Sequence, residues 1–204
     1  SRNAATMGTV ARYHPDQLLA DLLANGFTSG TDYTGTAFFA AGKVAHTGAT
    51  AFTNVTTGRL TVERYATGLA NLKARVNAKG RSMGLGKNLV LVCSPLYEQV
   101  ARQILEASTV STGGTNVQKG TAKLEVWPEL SANNMEHTWF IFEVGSVMKP
   151  FMRQELLPWQ YFAITNPADS YVVTKKQFLW QVYGVSNVGY GLPEMAYGSD
   201  GTVA

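Results

Sequence analysis

Residues 82–88 read SMGLGKN, and a glycine-rich turn ending in lysine is the first place to look for phosphate chemistry. A P-loop needs Gly, four residues, then Gly-Lys-Ser/Thr, after a strand and before a helix, so that backbone N–H groups surround the anion. Here Gly86-Lys87 is followed by Asn88, and the position five before Gly86 is Arg81. The order of elements is also reversed, with a helical pattern before the turn and a strand pattern after it. The glycines read instead as a turn that sends the chain back after a helix. His14, His46 and His137 have no second His, Cys or Asp at ligand spacing, so they suggest no metal site. Cys93 and His137 could form a nucleophile pair only with an exposed thiol of lowered pKa. The apolar run NLVLVCS around Cys93 points to a buried thiol instead. Glu125, Glu129, Glu136, Glu143 and Glu155 could supply two catalytic carboxylates, but no pattern singles out a pair. No Gly-x-Ser-x-Gly elbow occurs. Asn54-Val55-Thr56 fits a glycosylation sequon and reads as chance. The sequence therefore names no catalytic, cofactor-binding or metal-binding residue.

The bulk numbers agree with a protein that works by contact. The 204 residues are 45% hydrophobic and 15% charged, against roughly 25% charged in an ordinary soluble domain. A surface so poor in charge suits one that is largely covered. The net charge of +3 is spread over scattered positions such as Lys73, Arg75, Lys79, Arg81 and Lys87. A nucleic-acid reader would cluster them on one face; weak, sequence-blind contact with a polyanion stays open. With one cysteine no intramolecular disulfide is available. No apolar run of about 18 residues exists, so no membrane span is expected. The start, SRNAATMG, has neither an initiator Met nor an apolar signal core, and reads as a processed, trimmed or partly ordered terminus.

The elements follow from period and punctuation. PDQLLADLLANG forms a helix with Leu18, Leu19, Leu22 and Leu23 on one face and Asn25-Gly26 as its stop; residues 1–13 extend it upstream, with Pro15 as a kink. Residues 27–60, rich in Thr, Gly and Ala, read as a long excursion with one short strand and Phe38-Phe39 as its apolar anchor. Thr61 caps a helix whose face is Val62, Tyr65, Ala66, Leu69, Leu72 and Val76, ending at Gly80. NLVLVCS is a buried strand. Pro95 opens a helix with Leu96, Val100, Ile104 and Leu105 inward. STVSTGGTNVQKG is a polar, flexible loop. Four strands follow: TAKLEVW, TWFIFEV, PFMRQELL, and SYVVTKKQFLWQVYGVS, the last long enough that it bends or passes between sheets. The fold class is α+β, helices packed on mainly antiparallel sheets.

Twelve aromatics from Trp127 to Tyr183 crowd the last third of the chain; most build a core and some face partners. With these elements in place, four stretches resemble the Mu-like major head subunit family, the phage major capsid protein called gpT. They are HPDQLLADLLANGFTSGTDYTGTAFF (14–39), LVCSPLYEQVARQILEA (91–107), KPFMRQELLPW (149–159) and VYGVSNVGYGLPEMAYGSDG (182–201). They run in order over roughly residues 9–200. One departure is AAGKVAH (40–46), where the family commonly has an Asp and a His-Pro.

The resemblance implies the HK97-like capsid fold, with a peripheral (P) lobe and an axial (A) lobe. On that reading residues 1–60 are the first part of the peripheral lobe, carrying the end of its spine helix. Residues 61–145 are the axial lobe, 146–185 the second peripheral part, and 186–204 the return to the axial lobe. The chain is then expected to begin within or after the spine helix and to lack the N-terminal arm and extended loop. The implied function is a structural, non-enzymatic head protein of the virion. It self-assembles in the host cytoplasm into pentamers and hexamers of an icosahedral shell. Further partners are packaged DNA, through non-specific contact, and scaffold, portal or decoration proteins; no membrane is involved. Candidate subunit-interface residues are Phe38, Phe39, Thr112, Asn116, Lys119, Trp159 and Tyr161. The loop 108–120 is assigned to the capsomer axis and the excursion 27–60 to contacts between subunits. Two rival readings stay open: a small hydrolase or transferase, and a DNA-binding structural protein. In GYGLPEMAYGSDG, Tyr190, Leu192, Met195 and Tyr197 are expected to pack a final return of the chain.

Overall fold

The run LVLVC, apolar at every position, needs cover on both faces, and the structure supplies it. A computed structural model describes residues 2–45, 49–77, 79–109 and 113–202. Leu89–Cys93 forms β2, the next-to-last strand of a five-stranded sheet ordered β1-β7-β4-β2-β3. The others are β1 (Val55–Thr56), β3 (Lys123–Val126), β4 (Trp139–Glu143) and β7 (Ala196–Ser199). β4 pairs antiparallel with β2 and with β7, whereas β2–β3 and β1–β7 are parallel. The sheet is therefore mixed rather than mainly antiparallel. Parallel neighbours need a long crossover, and for β2–β3 the helical stretch after Pro95 provides it.

Successive side chains of a strand point to opposite faces, and β4 shows the result. Trp139 and Ile141 join a core with Tyr65, Leu69 and Leu72 of α2 (Val62–Lys73) and with Ile104 and Leu105 of α3 (Glu98–Leu105). Phe140 and Phe142 join a second core on the other face. There they meet Leu23 from α1 (Arg2–Asn25), Phe38 and Phe39, and Leu130 from α4 (Pro128–Ala132). Helices and a folded loop sandwich the sheet, so Trp139–Phe142 is apolar throughout.

Several elements differ from the sequence expectation. The helix capped by Thr61, whose side chain accepts from the Arg64 N–H, stops at Lys73 and not at Gly80. Beyond it Arg75 turns inward, and Val76 bridges Ser82 in a narrow turn and is exposed, as is Val62 at the start of the helix. Pro95–Tyr97 is a 3₁₀ turn, which leaves Leu96 outside the α3 face and exposed. SYVVTKK is not strand: Ser170–Lys175 is α5, because the Asp169 carboxylate accepts from the Tyr171 N–H and caps it. Lys176, at φ 53°, ends that helix in the left-handed region. The two long strands are β5 (Phe151–Ile164) and β6 (Leu179–Tyr190), which form a separate two-stranded sheet. α1 runs unbroken through Pro15.

The chain divides into two compact units: Ser1–Leu19 with Arg153–Gly189, and Ala20–Met152 with Tyr190–Ala204. Residues 20–60 group with the five-stranded sheet, not with residues 1–19.

Candidate subunit interface

The glycine-rich turn already holds an anion, and that anion belongs to the protein. Gly86, at φ 103°, orients its N–H and that of Lys87 onto Glu143 Oε2 at 2.7 and 3.2 Å. The Gly145 N–H reaches the other carboxylate oxygen at 2.9 Å. Glu143 is buried and fills the cradle that a phosphate would need. Cys93 is buried too, and burial pushes its thiol up to about 12, far from a nucleophile's range. The His137 ring bonds the Tyr97 hydroxyl at 3.1 Å. Among the described residues no group of three His, Cys, Asp or Glu side chains could hold a metal ion.

The excursion 27–54 is built around buried polar contacts. Lys43 and Asp32 form an ion pair at 2.6 Å with both side chains out of solvent. The same ammonium donates to the Ala37 carbonyl, and Asn54 ties the Ala40 N–H to the Phe38 carbonyl. This frame drives Phe38 and Phe39 into the core, where Phe38 stacks on Tyr190 at 4.7 Å and Phe39 on Phe27 at 4.8 Å. Arg75 closes the arrangement from the other side. Its Nη1 donates to the carbonyls of Pro193, Glu194 and Ala196, and its guanidinium lies 4.8 Å over the Phe52 ring. Burial lowers its pKa to about 10, so it remains a cation at neutral pH. Glu194 accepts from the Tyr33 hydroxyl at 2.5 Å, and burial together with that carboxylate raises the Tyr33 pKa.

These contacts decide three of the seven interface candidates against the sequence reading. Phe38 and Phe39 are core side chains and have no surface left for a second copy. Asn116 is buried as well: its Nδ2 donates to the carbonyls of Gln103, Ile104 and Ala107, closing the C-terminus of α3. Replacing Asn116 would therefore damage the subunit itself. Thr112 lies outside the described residues. Lys119 is exposed and donates to Ser108 Oγ at 2.7 Å. Trp159 is 37% exposed, with its ring edge-on to His14 at 5.8 Å, and Tyr161 is 53% exposed.

Trp159 marks a difference between the two faces of the β5–β6 sheet. A Cβ on Gly184 would lie 2.6 Å from the Trp159 ring, so odd residues of β5 and even residues of β6 share one face. Val10, His14 and Gln17 of α1 line a groove of about 500 Å³ with Trp159 and Val182, and so flank that face. The opposite face carries Leu156 and Phe162 from β5 and Leu179, Tyr183 and Val185 from β6. Leu156 is 77% exposed, Phe162 52% and Tyr183 47%. These residues are absent from the sequence-derived candidates. The expectation of one long strand here does not say which of its residues α1 flanks.

No curated protein sequence matches the chain. A chain in the procapsid of bacteriophage JBD30 is similar at a TM-score of 0.45 and 18% identity. The similarity covers 98% of this chain and 44% of that one, so this chain spans less than half the length of that relative. The family described as Mu-like prophage major head subunit gpT matches residues 48–130 and 129–204, which together are well over half of the sequence. The chain belongs to the Mu-like prophage major head subunit gpT family.

Proposed function

We infer that this chain is a shell-forming subunit of a phage or phage-like head. The observation that carries the reading is the outer face of the β5–β6 sheet. A two-stranded sheet is marginal by itself in water, and a row of large exposed apolar side chains on one is the signature of a surface meant to be covered. In a head the cover is another copy of the same chain. Leu156, Phe162 and Tyr183 would be the central anchors, since aromatic side chains dominate binding energy in such patches. Trp159, Tyr161 and Lys119 are secondary contacts.

On this reading the fold is HK97-like. The unit holding β5 and β6 is the peripheral lobe, and the five-stranded unit is the axial lobe that points to the centre of pentamers and hexamers. The net charge of +3, repeated over many copies, gives a shell that tolerates packaged DNA without reading its bases. A head subunit works through contacts and needs no catalytic residue.

The test compares the full-length protein with its Leu156→Glu, Phe162→Glu double variant by negative-stain electron microscopy and light scattering. The parent protein forms shells, or rings of five or six; the double variant stays dispersed with an unchanged circular dichroism spectrum. A parent protein that is monomeric at every concentration overturns the reading. Normal particles from the double variant overturn the assignment of the face.

A further inference from the structure

β7 is the last strand among the described residues, yet it lies inside the sheet, bonded on one side to β1 and on the other to β4. The stretch that precedes it, 153–189, belongs to the other compact unit. Four of the five strands thus come from one continuous stretch, 20–152, and the segment 190–202, returning from the other unit, fills the slot between β1 and β4.

The slot reads this segment mainly by its backbone. Arg75 donates to three of its carbonyls, and Asn54 Nδ2 reaches the Pro193 carbonyl at 3.3 Å. The Gly191 and Leu192 N–H groups bond to the carbonyls of Pro150 and Lys149, and the Gly198 N–H to that of Asn54. Ser199 Oγ donates to the Gly58 carbonyl at 2.6 Å. Met195 and Tyr197 fill the core beside Tyr65 and Leu69. Every one of these partners lies within 20–152. None of the contacts depends on the segment being joined to its acceptor through 153–189.

We propose that the slot between β1 and β4 accepts an extended strand in trans, and that two copies of this chain exchange residues 190–202. Strand addition of this kind is held by main-chain bonds with pockets for alternate side chains. Exchange makes no contact that the closed form lacks, so concentration sets the balance between the two. The proposal rests on the five-stranded unit alone and holds whether or not the chain builds a shell.

Thr56 and Ser199 are direct partners in the β1–β7 ladder, and Ser199 is fully buried, so only a seated β7 brings position 199 to position 56. Neighbouring strands lie about 4.8 Å apart, within the range that a disulfide spans. Three full-length variants are compared in a Cys93→Ala background, so that no native thiol competes: Thr56→Cys, Ser199→Cys, and both together. The double variant, refolded dilute and oxidised, links within one chain and shows that the cysteines meet. An equimolar mixture of the single variants is then unfolded in urea, refolded at rising concentration and oxidised. The expected product is a disulfide-linked heterodimer that grows with concentration. An excess of synthetic peptide spanning 190–202 suppresses it roughly tenfold, by mass action. No heterodimer from the mixture, while the double variant links internally, overturns the proposal. A heterodimer indifferent to the peptide overturns it equally, because the slot would not then be the site of the link.

Discussion

β4 and β6 are both rich in aromatic and β-branched residues, and they meet water differently. All five residues of β4, Trp139–Glu143, are buried. In β6 the residues from Leu179 to Asn187 alternate between exposed and half-buried. β4 has a strand on each side and a hydrophobic core on each face, so an apolar run is its only stable pattern. β6 has one partner strand, and the groove with α1 borders one face of its sheet. Its second row carries Leu179, Tyr183 and Val185, interrupted by Gln181, and these three stay exposed. The lesson lies in that contrast: apolar content alone does not separate a core strand from a contact strand. The number of covered faces does.

The sharpest way to break the comparison is to remove what holds β7 in the covered sheet. Arg75→Met deletes a buried cation and removes the guanidinium from the carbonyls of Pro193, Glu194 and Ala196, of which Pro193 keeps the Asn54 amide as a donor. Stranding buried polar groups of this kind costs about 3–5 kcal/mol. Urea unfolding, followed by amide hydrogen exchange, should show that loss in β4 and β7 while β5 and β6 keep their protection. A change below about 1 kcal/mol would mean that the carbonyls find other donors and that Arg75 is not the clamp.

What the sequence disclosed follows the same division. β2, β4, the Thr61 cap and the packing of Tyr190, Leu192, Met195 and Tyr197 were legible, because each rests on a local pattern or a local hydrogen bond. Phe38 and Phe39 were recognised as an anchor but assigned to an interface. Their burial is decided by Phe140, Phe151 and Tyr190, more than a hundred residues away, and no local period reports that. Asn116 looked like loop surface because its three acceptors belong to α3 and the turn after it. α5 was missed because Tyr171-Val172-Val173 carries strand propensity, and the Asp169 cap outweighs it. The exposed row Leu156, Phe162, Tyr183 was not legible: a long strand has two rows, and only the course of α1 says which is flanked.

Glycines in the two sheets give a finer test. A Cβ at Gly198 of β7 would stand 2.9 Å from both the Phe140 and Phe39 rings. Both rings are buried in the second core and have nowhere to go. Gly198→Ala should therefore cost about 1–3 kcal/mol through overpacking, although alanine is the stiffer residue in a strand. Thermal unfolding of the purified variant measures it. Unchanged stability would mean that the covered sheet is looser than its contacts imply.

Gly184→Ala in β6 is the matching change in the other sheet, and on distance alone it should be worse. Its Cβ would lie 2.6 Å from the Trp159 ring, closer than anything that Gly198 meets. Trp159 differs from Phe140 in being 37% exposed, in a strand with a single partner, so the ring can rotate toward water. The added methyl then displaces a side chain rather than straining a core, and removing a glycine from a strand offsets part of the cost. The expected change is within about 0.5 kcal/mol, with a shift in Trp159 fluorescence as the ring moves away from His14. If Gly184→Ala proves as costly as Gly198→Ala, Trp159 is locked, and the two sheets do not differ in rigidity where they differ in cover. The same equality in assembled particles but not in dispersed subunits would place a second copy's contact against Trp159 itself.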